Sequence, residues 1–347
     1  MPLSAPPPNG GTQPESLAIA ATDAVVPWWR DRRLMPWLVQ GAVGLTVLLL
    51  IAFLLSNLIR NLTAAGLLLS WSWLGQPAGF DIAETILPFQ ASDPYWRGLL
   101  AGLVNTLRVV VTALVGSTLL GTLLGMASFS GNGLLRGLTR VYVEVVRNIP
   151  LLLQLVFWYF VVFLALPNGR AALQLPGLVL AKSGLYLAGF GEGFRWLGPQ
   201  LINVVWQAPI RFSVEFAALL TGLVAYSSAF IAEVVRGGIA AVAKGQWEAA
   251  SSLGLSWLQT LRRVVLPQAL RVIVPGLNTQ YISLAKNSSL AVAVGYTDLY
   301  SVAETTLNQT GRAVEVVLFL LGAYLAIDLF ISVLMNGLNH LVQIRER

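Results

Sequence analysis

Long runs of apolar residues constrain the fold of this chain more than any other feature of its sequence. Residues 34–58 contain no charged side chain, and a run of about 20 apolar residues is enough to cross a lipid bilayer as a helix. The backbone finds no water in the bilayer core, so such a segment must satisfy its own hydrogen bonds. We therefore predict an all-α, polytopic membrane bundle of about six spans, with eight as the alternative count. The predicted spans are residues 34–58, 98–127, 142–166, 214–235, a segment that follows Pro267, and 314–338.

The charge content agrees with a membrane protein. Charged residues make up 11% of the 347 residues and hydrophobic residues 56%, whereas soluble domains contain about 25% charged residues. The net charge is +6. In membrane proteins, excess Arg and Lys normally lie in cytoplasmic loops, so this charge does not indicate nucleic-acid binding. The chain has no cysteine and a single histidine, His340, which excludes disulfides, iron–sulfur clusters and a His-rich metal site.

Composition divides the chain into segments. Residues 1–33 are rich in Pro and Ala and end with three arginines, which predicts a disordered cytoplasmic tail before an uncleaved anchor span. An extra first span and an external loop occupy 34–97, and the transmembrane domain proper covers 98–338. Both termini are expected in the cytoplasm. The other predicted segments are an external insertion at 167–212 in place of a helix pair, a cytoplasmic loop at 236–268, a polar external loop at 295–313 and a cytoplasmic tail at 339–347.

The cytoplasmic loop contains an amphipathic stretch, residues 245–268. Gly254 can divide it into two short helices, because glycine readily adopts the turn between them. A short rigid helix could offer an apolar ridge to the groove of a soluble partner, with Glu248 facing the partner's basic rim. A helix resting on lipid headgroups has the same pattern, and the residues alone leave both interpretations open. The residues predicted near one apolar face are Trp247, Ala250, Leu253 and Leu261.

Polar residues interrupt the predicted fifth span. Lys286 is costly in hydrocarbon and should face protein or a water-filled cavity. We expect unwound backbone there, with donors and acceptors for a solute in the middle of the membrane. The carboxylate common to amino acids could meet Lys286 or the free backbone N–H groups. Alternatively, Lys286 could merely neutralise Glu233 or bond to the carbonyls of another helix. The candidate solute-contacting residues are Gln280, Tyr281, Lys286, Asn287, Ser288 and Ser289, with Tyr226 and Ser227 in the fourth span.

Other charged residues suggest alternatives. Glu144 and Arg147 lie three residues apart, which predicts a local ion pair at the membrane border. Asp328 lies in the last span and either lines a pathway or, more typically, bonds to a neighbouring helix. An intramembrane enzyme using Asp328, Glu233 or Lys286 and a passive channel are the competing functions. No GxxxxGK[ST] phosphate loop or HExxH motif occurs, so the usual patterns for binding ATP or catalytic zinc are missing.

Several motifs together resemble one family. Glu248-Ala249-Ala250, followed by Gly254 and Leu266-Pro267, is similar to the EAA motif of ABC importer permeases. The wider similarity is to the amino-acid permeases of histidine and glutamine importers, and the added first span and insertion resemble their larger broad-specificity members. With the apolar spans, the resemblance covers about 98–166 and 214–337. Further matching stretches are NTLRVVV (105–111), YVEVVRNIPLLLQL (142–155), AFIAEVVRGGIAAVAKGQWEAASSLG (229–254), LPQALR (266–271) and LAKNSSLA (284–291).

The resemblance implies a type I ABC importer transmembrane domain in the bacterial inner membrane. It implies a second permease subunit (a paralogue or a second copy), two ATPase subunits that bind ATP and magnesium, a periplasmic amino-acid-binding protein and surrounding lipid, but no nucleic acid. This chain would be a translocation subunit without catalytic residues, cofactor or metal. Closure of the ATPases would move two coupling helices together and open the path outward. The implied ATPase-coupling residues are Gln246, Trp247, Glu248, Ala249, Ala250, Ser251, Gly254 and Pro267.

One position departs from part of that family. In relatives that import basic amino acids, an Asp commonly takes the place of Asn287. An Asn cannot pair with a cationic side chain by charge. A neutral or broad range of amino acids is therefore the expected substrate class.

Overall fold

The computed structural model describes residues 35–64, 66, 69–191, 195–203 and 205–343, and the chain divides into two units, 1–69 and 70–347. The described part of the first unit is mainly one helix, α1 (Met35–Ala64), which covers residues 35–58 of the predicted first span and continues past them. The predicted tail 1–33 lies outside the described residues, as do the last four residues of the predicted tail 339–347.

The second unit is a helical bundle with a strand-rich insertion. Its helices are α2 (Tyr95–Ala127), α3 (Gly133–Asn148), α4 (Leu151–Val156), α5 (Val214–Ala240), α6 (Lys244–Ser252), α7 (Trp257–Thr260), α8 (Leu266–Asn287), α9 (Leu299–Thr310) and α10 (Ala313–Val342). Among the described residues, α1, α2, α5 and α10 are long and apolar enough to cross a membrane, and a bent pair that begins with α3 could be a fifth crossing. The predicted count of six is not confirmed. The predicted fifth span corresponds to α8, which is not among these helices and carries Arg271, Asn278, Gln280 and Lys286.

α5 is the central helix of the bundle, and it packs against α2, α3, α4 and α8. Its contact with α2 depends on small residues. A Cβ atom added to Gly121 would lie 2.6 Å from Ile231 Cγ2, and one added to Gly125 would lie 2.6 Å from Val235 Cβ. Glycines at one-turn spacing thus allow the two helix backbones to approach closely.

The predicted third span, 142–166, is not one continuous helix. α3 and the helical segment Leu151–Phe163 (α4 and the π-helical turn after it) meet at an angle of 106°. Pro150 has no N–H and disfavours helical backbone at Ile149, which is extended. Gln154 stabilises the break, because its Nε2 donates to two backbone carbonyls there, at 2.8 and 2.9 Å. The bend predicted at Pro150 is confirmed.

The insertion at 167–212 is built from short strands, so the prediction of an all-α chain is wrong for this segment. No helix pair occurs in its described residues, as predicted. β1, β2, β3 and β8 form one antiparallel sheet in that order, and β4–β5 and β6–β7 form two hairpins. The strands are β1 (Leu173–Leu175), β2 (Leu178–Ala181), β3 (Gly184–Leu187), β4 (Gly189–Phe190), β5 (Trp196–Leu197), β6 (Gln200–Ile202), β7 (Val205–Gln207) and β8 (Ile210–Phe212).

A small core of its own holds the insertion together. Val179, Ala181, Tyr186 and Trp206 are buried in one cluster, and the Trp206 indole N–H donates to the Gly169 carbonyl at 2.8 Å. Along β2 the outward residues are leucines as well. The apolar–polar alternation that normally predicts a half-buried strand is therefore missing from the sequence.

Residues 295–313 are predicted as a polar external loop, but the structure has a helix, α9, in this segment. The Asp298 carboxylate accepts from Ser301 N at 2.9 Å at the start of α9, and Gly311, with a φ of +67°, follows its last residue. α9 packs on α2, where a Cβ atom added to Gly102 would lie 3.0 Å from Leu299 Cα. The backbone of this segment is bonded inside the protein, where Leu299 N donates to the buried Thr106 hydroxyl of α2 at 3.0 Å.

α8 also differs from the prediction. It continues as a helix through Pro275, ends at Asn287 and passes directly into a 3₁₀ turn, Ser288–Val294. The prediction that the backbone is unwound at Lys286 is therefore wrong. A Cβ atom added to Gly276 would lie 2.7 Å from Val234 Cγ1 of α5, so glycine at this position allows close packing of α8 on α5.

We expect Glu84→Ala to destabilise the bundle by about 1–2 kcal/mol, because it leaves a mostly buried cation unpaired and a backbone donor without its acceptor. Glu84 Oε1 accepts from Arg108 Nη1 at 2.6 Å, and its Oε2 accepts from Ser213 N at 3.1 Å, just before α5. The Arg108 side chain is 14% exposed. Thermal unfolding of the purified protein measures the effect. Glu304→Ala, on an exposed face of α9, is the control and should stay within about 0.5 kcal/mol of wild type; equal midpoints for the two variants would contradict the prediction.

Candidate functional site

The predicted division of residues 245–268 at Gly254 is confirmed. α6 ends there in a Schellman-type cap, in which Leu255 N donates to Ala250 O at 3.1 Å and Gly254 N donates to Ser251 O at 2.9 Å. Gly254 has a φ of +74°, a left-handed conformation that glycine adopts without steric cost. The turn after α6 is therefore encoded locally.

A local sequence signal marks the beginning of α7. Ser256 and Gln259 form a capping box, in which Gln259 Oε1 accepts from Ser256 N at 2.9 Å. A π-helical turn, Leu261–Val265, leads into α8, and Pro267 lies in the first turn of α8, as predicted. The segment between α5 and α8 is thus an ordered arrangement of two short helices.

α6 is anchored on one face and open on the other. Ala250 is 3% exposed, Trp247 packs against the main core, and Gln268 Nε2 of α8 donates to Gln246 Oε1 at 3.3 Å. The opposite face is exposed and includes Glu248 and Ala249. Glu248 forms no ion pair with the described part of the chain. α6 therefore presents a carboxylate on a helix that cannot easily rotate.

The predicted apolar ridge has different members. Ala250 and Leu261 are buried against the protein itself, so they are not available to a partner, whereas Leu253 is 81% exposed. The predicted common face of Trp247, Ala250, Leu253 and Leu261 is therefore wrong. The exposed apolar side chains of this segment are Leu253, Trp257 and Leu258.

A polar cleft of about 370 Å³ lies between α5 and α8. Five of the eight predicted solute-contacting residues come together in it. The five are Tyr226, Ser227, Gln280, Lys286 and Asn287; the other lining residues are Phe230, Ser283 and Leu284. No carboxylate is among the described residues that line this cleft, and Lys286 is its one cation.

The prediction of an isolated Lys286 deep within a span is wrong. Its Nζ lies 3.4 Å from Asp328 Oδ2 of α10, and its side chain is 61% exposed. Asp328 is 16% exposed and its other oxygen, Oδ1, is buried without a hydrogen-bond partner in the described part of the chain. The preferred prediction that Asp328 bonds to a neighbouring helix is confirmed. Lys286 can still donate two hydrogen bonds to a ligand, because an ammonium group has three N–H donors.

The three remaining candidates lie elsewhere. The Tyr281 hydroxyl is bonded to Thr118 Oγ1 of α2 at 2.7 Å. Ser288 is buried, and its hydroxyl donates to the Ala285 carbonyl at 2.7 Å. Ser289 lines a mainly apolar cleft against α9 and α10, on the other side of Lys286. These residues position helices and do not face the α5–α8 cleft.

Three lining residues were missed by the sequence analysis: Ser283, Leu284 and Phe230. Ser283 lies three residues after Gln280 and four before Asn287, so a continuous helix places all three on one face. Phe230 follows Tyr226 by four residues and packs against it, with ring centroids 4.8 Å apart. The helical spacing along α8 and along α5 could have identified Ser283 and Phe230, respectively.

The predicted ion pair between Glu144 and Arg147 is wrong. Arg147 Nη1 instead lies 3.8 Å from Glu233 Oε2 of α5, and its guanidinium lies over the Phe230 ring at 5.1 Å. Glu233 also accepts two hydrogen bonds from Arg236, at 2.7 and 3.0 Å. Glu233 is thus paired with arginines and not with Lys286, which was the alternative for that lysine.

Comparisons with known proteins match most of the chain. A family described as "Binding-protein-dependent transport system inner membrane component" matches residues 117–344. The chain is 37% identical to the putative amino-acid ABC transporter permease protein YhdX of Escherichia coli strain K12, over 90% of this chain and 95% of that one. It is 36% identical to the general L-amino acid transport system permease protein AapQ of Rhizobium johnstonii, over 87% and 92% of the two chains.

Solved structures agree with the fold. A crystal structure of an amino acid ABC transporter with histidines has a TM-score of 0.53 and 26% identity, and covers 71% of this chain and 94% of its own. An inward-facing structure of the MetNI methionine ABC transporter has a TM-score of 0.50 at 17% identity, over 71% and 96%. The second likeness concerns the fold alone.

Proposed function

This chain belongs to the family of inner membrane components of binding-protein-dependent transport systems, and on that premise we propose that it carries amino acids across the membrane in a cleft between α5 and α8. It is a multi-pass membrane protein and a translocation subunit, and ATP is hydrolysed by separate ATPase subunits. The relatives named above are amino-acid permeases, which supports amino acids as its substrates.

The observation that carries the proposal is the arrangement of α5, α6 and α8 in one continuous unit. α6 connects the two helices that line the cleft, and it is tied to α8 through Gln246 and Gln268. A partner that pushes on the exposed face of α6 therefore moves the helices around the solute. Docking of an ATPase subunit on α6, through Glu248 and Ala249, would couple ATP hydrolysis to access from one side of the membrane and then the other.

The chemistry of the cleft suits a zwitterion. Lys286 supplies a positive charge for the α-carboxylate, and the oxygen atoms of Gln280, Ser283 and Asn287 can accept from the ammonium group. No carboxylate lines the cleft among the described residues, so a cationic side chain would find no partner of opposite charge. A neutral or broad range of amino acids fits this lining. The name of one relative, the general L-amino acid transport system permease protein AapQ, also describes a broad range.

The assembly is also part of the proposal. A second permease, as a paralogue or another copy, would face this one across the path, two ATPase subunits would hold the α6 ends, and a periplasmic amino-acid-binding protein would dock at the opposite end. The α6 end would be cytoplasmic, because Arg236, Lys244, Arg262 and Arg263 lie there. On this orientation the insertion at 167–212 and α9 lie toward the outside, with both termini inside.

A passive channel or an intramembrane enzyme receives no support. Asp328 and Lys286 form one ion pair, and Glu233 is held by two arginines, so the residues invoked for acid–base chemistry have structural partners. Family membership favours the importer over both alternatives.

We expect Lys286→Ala to raise the KM for amino-acid uptake about tenfold, since it removes a charged hydrogen-bond donor to the carboxylate. The measurement is ATP-driven uptake of labelled amino acids by the assembled complex in proteoliposomes. Neutral, acidic and basic amino acids serve as competitors, and basic ones are expected to compete worst.

Variants of Asp328 distinguish two roles for Lys286, which are solute binding and neutralisation of the Asp328 charge. If Lys286 only neutralised Asp328, the double variant Lys286→Ala/Asp328→Asn would recover wild-type uptake, because no buried charge would be left unpaired. We expect the double variant to keep the high KM, while Asp328→Asn alone keeps a KM near wild type. Recovery in the double variant would refute the solute role of Lys286.

A further inference from the structure

A second cleft, of about 410 Å³, lies where α2, α3 and α5 meet, and it has a different character from the first. Its charged lining consists of Arg136, Arg140, Glu144, Arg147, Glu233 and Arg236. Four arginines and two glutamates give the lining a net charge of +2. Neither the coupling segment nor the amino-acid cleft uses this site.

α3 is the helix that supplies most of this charge, and its surface has three faces. Thr139 and Val143 are buried against the bundle. Arg136, Arg140 and Arg147 fall on the face that lines the cleft. The apolar residues Leu134, Leu138, Val141 and Val145 recur at helical spacing on another face, and all are more than half exposed. A helix with an exposed apolar face beside a basic one is typical of the boundary between lipid tails and headgroups.

Only one of the two carboxylates is paired with these arginines, because Glu144 forms no ion pair among the described residues. Glu233 is bonded to Arg236 at 2.7 Å and lies 3.8 Å from Arg147. Arg136 and Arg140 form no ion pair within the described ranges of the chain. Two guanidinium groups one helical turn apart can bind the same anion, and their planar donor pattern matches phosphate oxygens.

A buried hydroxyl points independently to a missing ligand. Thr139 is 4% exposed and lines this cleft, yet its Oγ1 is buried with no hydrogen-bond partner among the residues that the structure describes. Other helical threonines, such as Thr112, Thr306 and Thr310, donate to the carbonyl four residues earlier, at 2.7 to 2.8 Å. Because a buried unpaired hydroxyl costs free energy, Thr139 is in the arrangement expected of a group that binds something in the cleft.

We propose that this cleft binds a phosphate group, held by Arg136 and Arg140 with the Thr139 hydroxyl as a further donor. An anionic phospholipid headgroup or a soluble phosphate compound would supply the same chemistry. Basic clefts between membrane helices on the cytoplasmic side are suited to phospholipid headgroups. The exposed apolar face of α3 would be covered by acyl chains when the source is a lipid.

The test uses the chain together with the subunits that purify with it, in nanodiscs of phosphatidylcholine with or without phosphatidylglycerol. Inorganic phosphate is titrated separately into the phosphatidylcholine nanodiscs. The unfolding midpoint of the permease and the phospholipid retained in native mass spectrometry are the readouts, so transport activity is not needed. We expect a higher midpoint and retained phosphatidylglycerol for wild type. Stabilisation by inorganic phosphate alone would assign the site to a soluble phosphate compound.

Arg136→Gln/Arg140→Gln is expected to lower the apparent affinity for the phosphate ligand at least about tenfold, through the loss of charged hydrogen bonds. Thr139→Val keeps the shape of a buried side chain and is expected to lower it severalfold without unfolding the protein. The control, Arg170→Gln/Arg195→Gln, removes the same charge from the insertion and should leave the affinity unchanged. Equal stabilisation of wild type, Thr139→Val and both double variants, or stabilisation of none of them, would overturn the proposal.

Discussion

Glu248→Lys is expected to reduce ATP-driven amino-acid uptake at least tenfold while the permease remains folded in the membrane. Glu248 lies on the exposed face of α6 and forms no ion pair with the described residues. Its replacement should therefore change the stability of the chain by less than about 0.5 kcal/mol. At a docking surface, reversal of a charge juxtaposes like charges, which costs several kcal/mol of binding free energy, or about a factor of ten for each 1.4 kcal/mol.

The two readouts are pull-down of the ATPase subunit by the permease and uptake in proteoliposomes. Glu304→Lys makes the same chemical change on an exposed face of α9 and should leave both readouts near wild type. Loss of uptake with the ATPase still bound would place the effect in coupling, and loss of both would place it in docking. Unchanged uptake together with unchanged ATPase binding would reject α6 as the contact between the subunits.

Gly121→Leu is expected to lower the free energy of unfolding by about 3 kcal/mol or more, because the larger side chain would overpack a contact whose atoms cannot move aside. This loss is enough to prevent recovery of folded permease. A Cβ atom at this position would already lie 2.6 Å from Ile231 Cγ2 and 2.8 Å from the Ser228 carbonyl oxygen of α5. A backbone carbonyl in a central helix cannot move aside as a side-chain end can. α2 and α5 would have to separate.

Gly137→Leu is the matched control, since Gly137 lies within α3 and nothing approaches the position of its Cβ within 4 Å. Leucine is a better helix former than glycine by about 0.5–1 kcal/mol, so this variant should be as stable as wild type or more so. The measurements are the yield of monodisperse protein in detergent and its midpoint of thermal unfolding. A Gly121→Leu protein with wild-type yield and midpoint would show that the α2–α5 contact tolerates separation.

Local patterns in the sequence determined the elements whose stabilisation is itself local. Long, mainly apolar runs predicted α1, α2, α5 and α10, because the lipid environment requires a helix wherever the chain crosses it. Gly254 predicted the end of α6 because the left-handed backbone of the turn favours glycine. Five of the eight predicted solute-contacting residues reached one cleft, because they occupy single faces of two regular helices.

Elements that depend on distant partners were not predictable in this way. The strands at 167–212 have apolar residues on both faces, and only their pairing and the burial of Trp206 define the sheet. The polar residues of 295–313 resemble those of a loop, yet Gln309 Oε1 of α9 accepts from the Tyr95 hydroxyl of α2, and the carboxylate of Asp298, just before α9, accepts from the Tyr324 hydroxyl of α10.

Charge pairing shows the same division. The sequence suggested the neighbour Glu144 for Arg147 and the carboxylate Glu233 for Lys286, whereas the fold pairs Arg147 with Glu233 and Lys286 with Asp328. Spacing along one helix states which charges can meet, but the choice among them depends on which helix packs alongside. The sequence by itself thus determined that this chain is a helical membrane protein with a motif-bearing loop between two helices. Only the packing of α5 against α2, α3 and α8 decided which polar side chains face a cleft and which hold the bundle together.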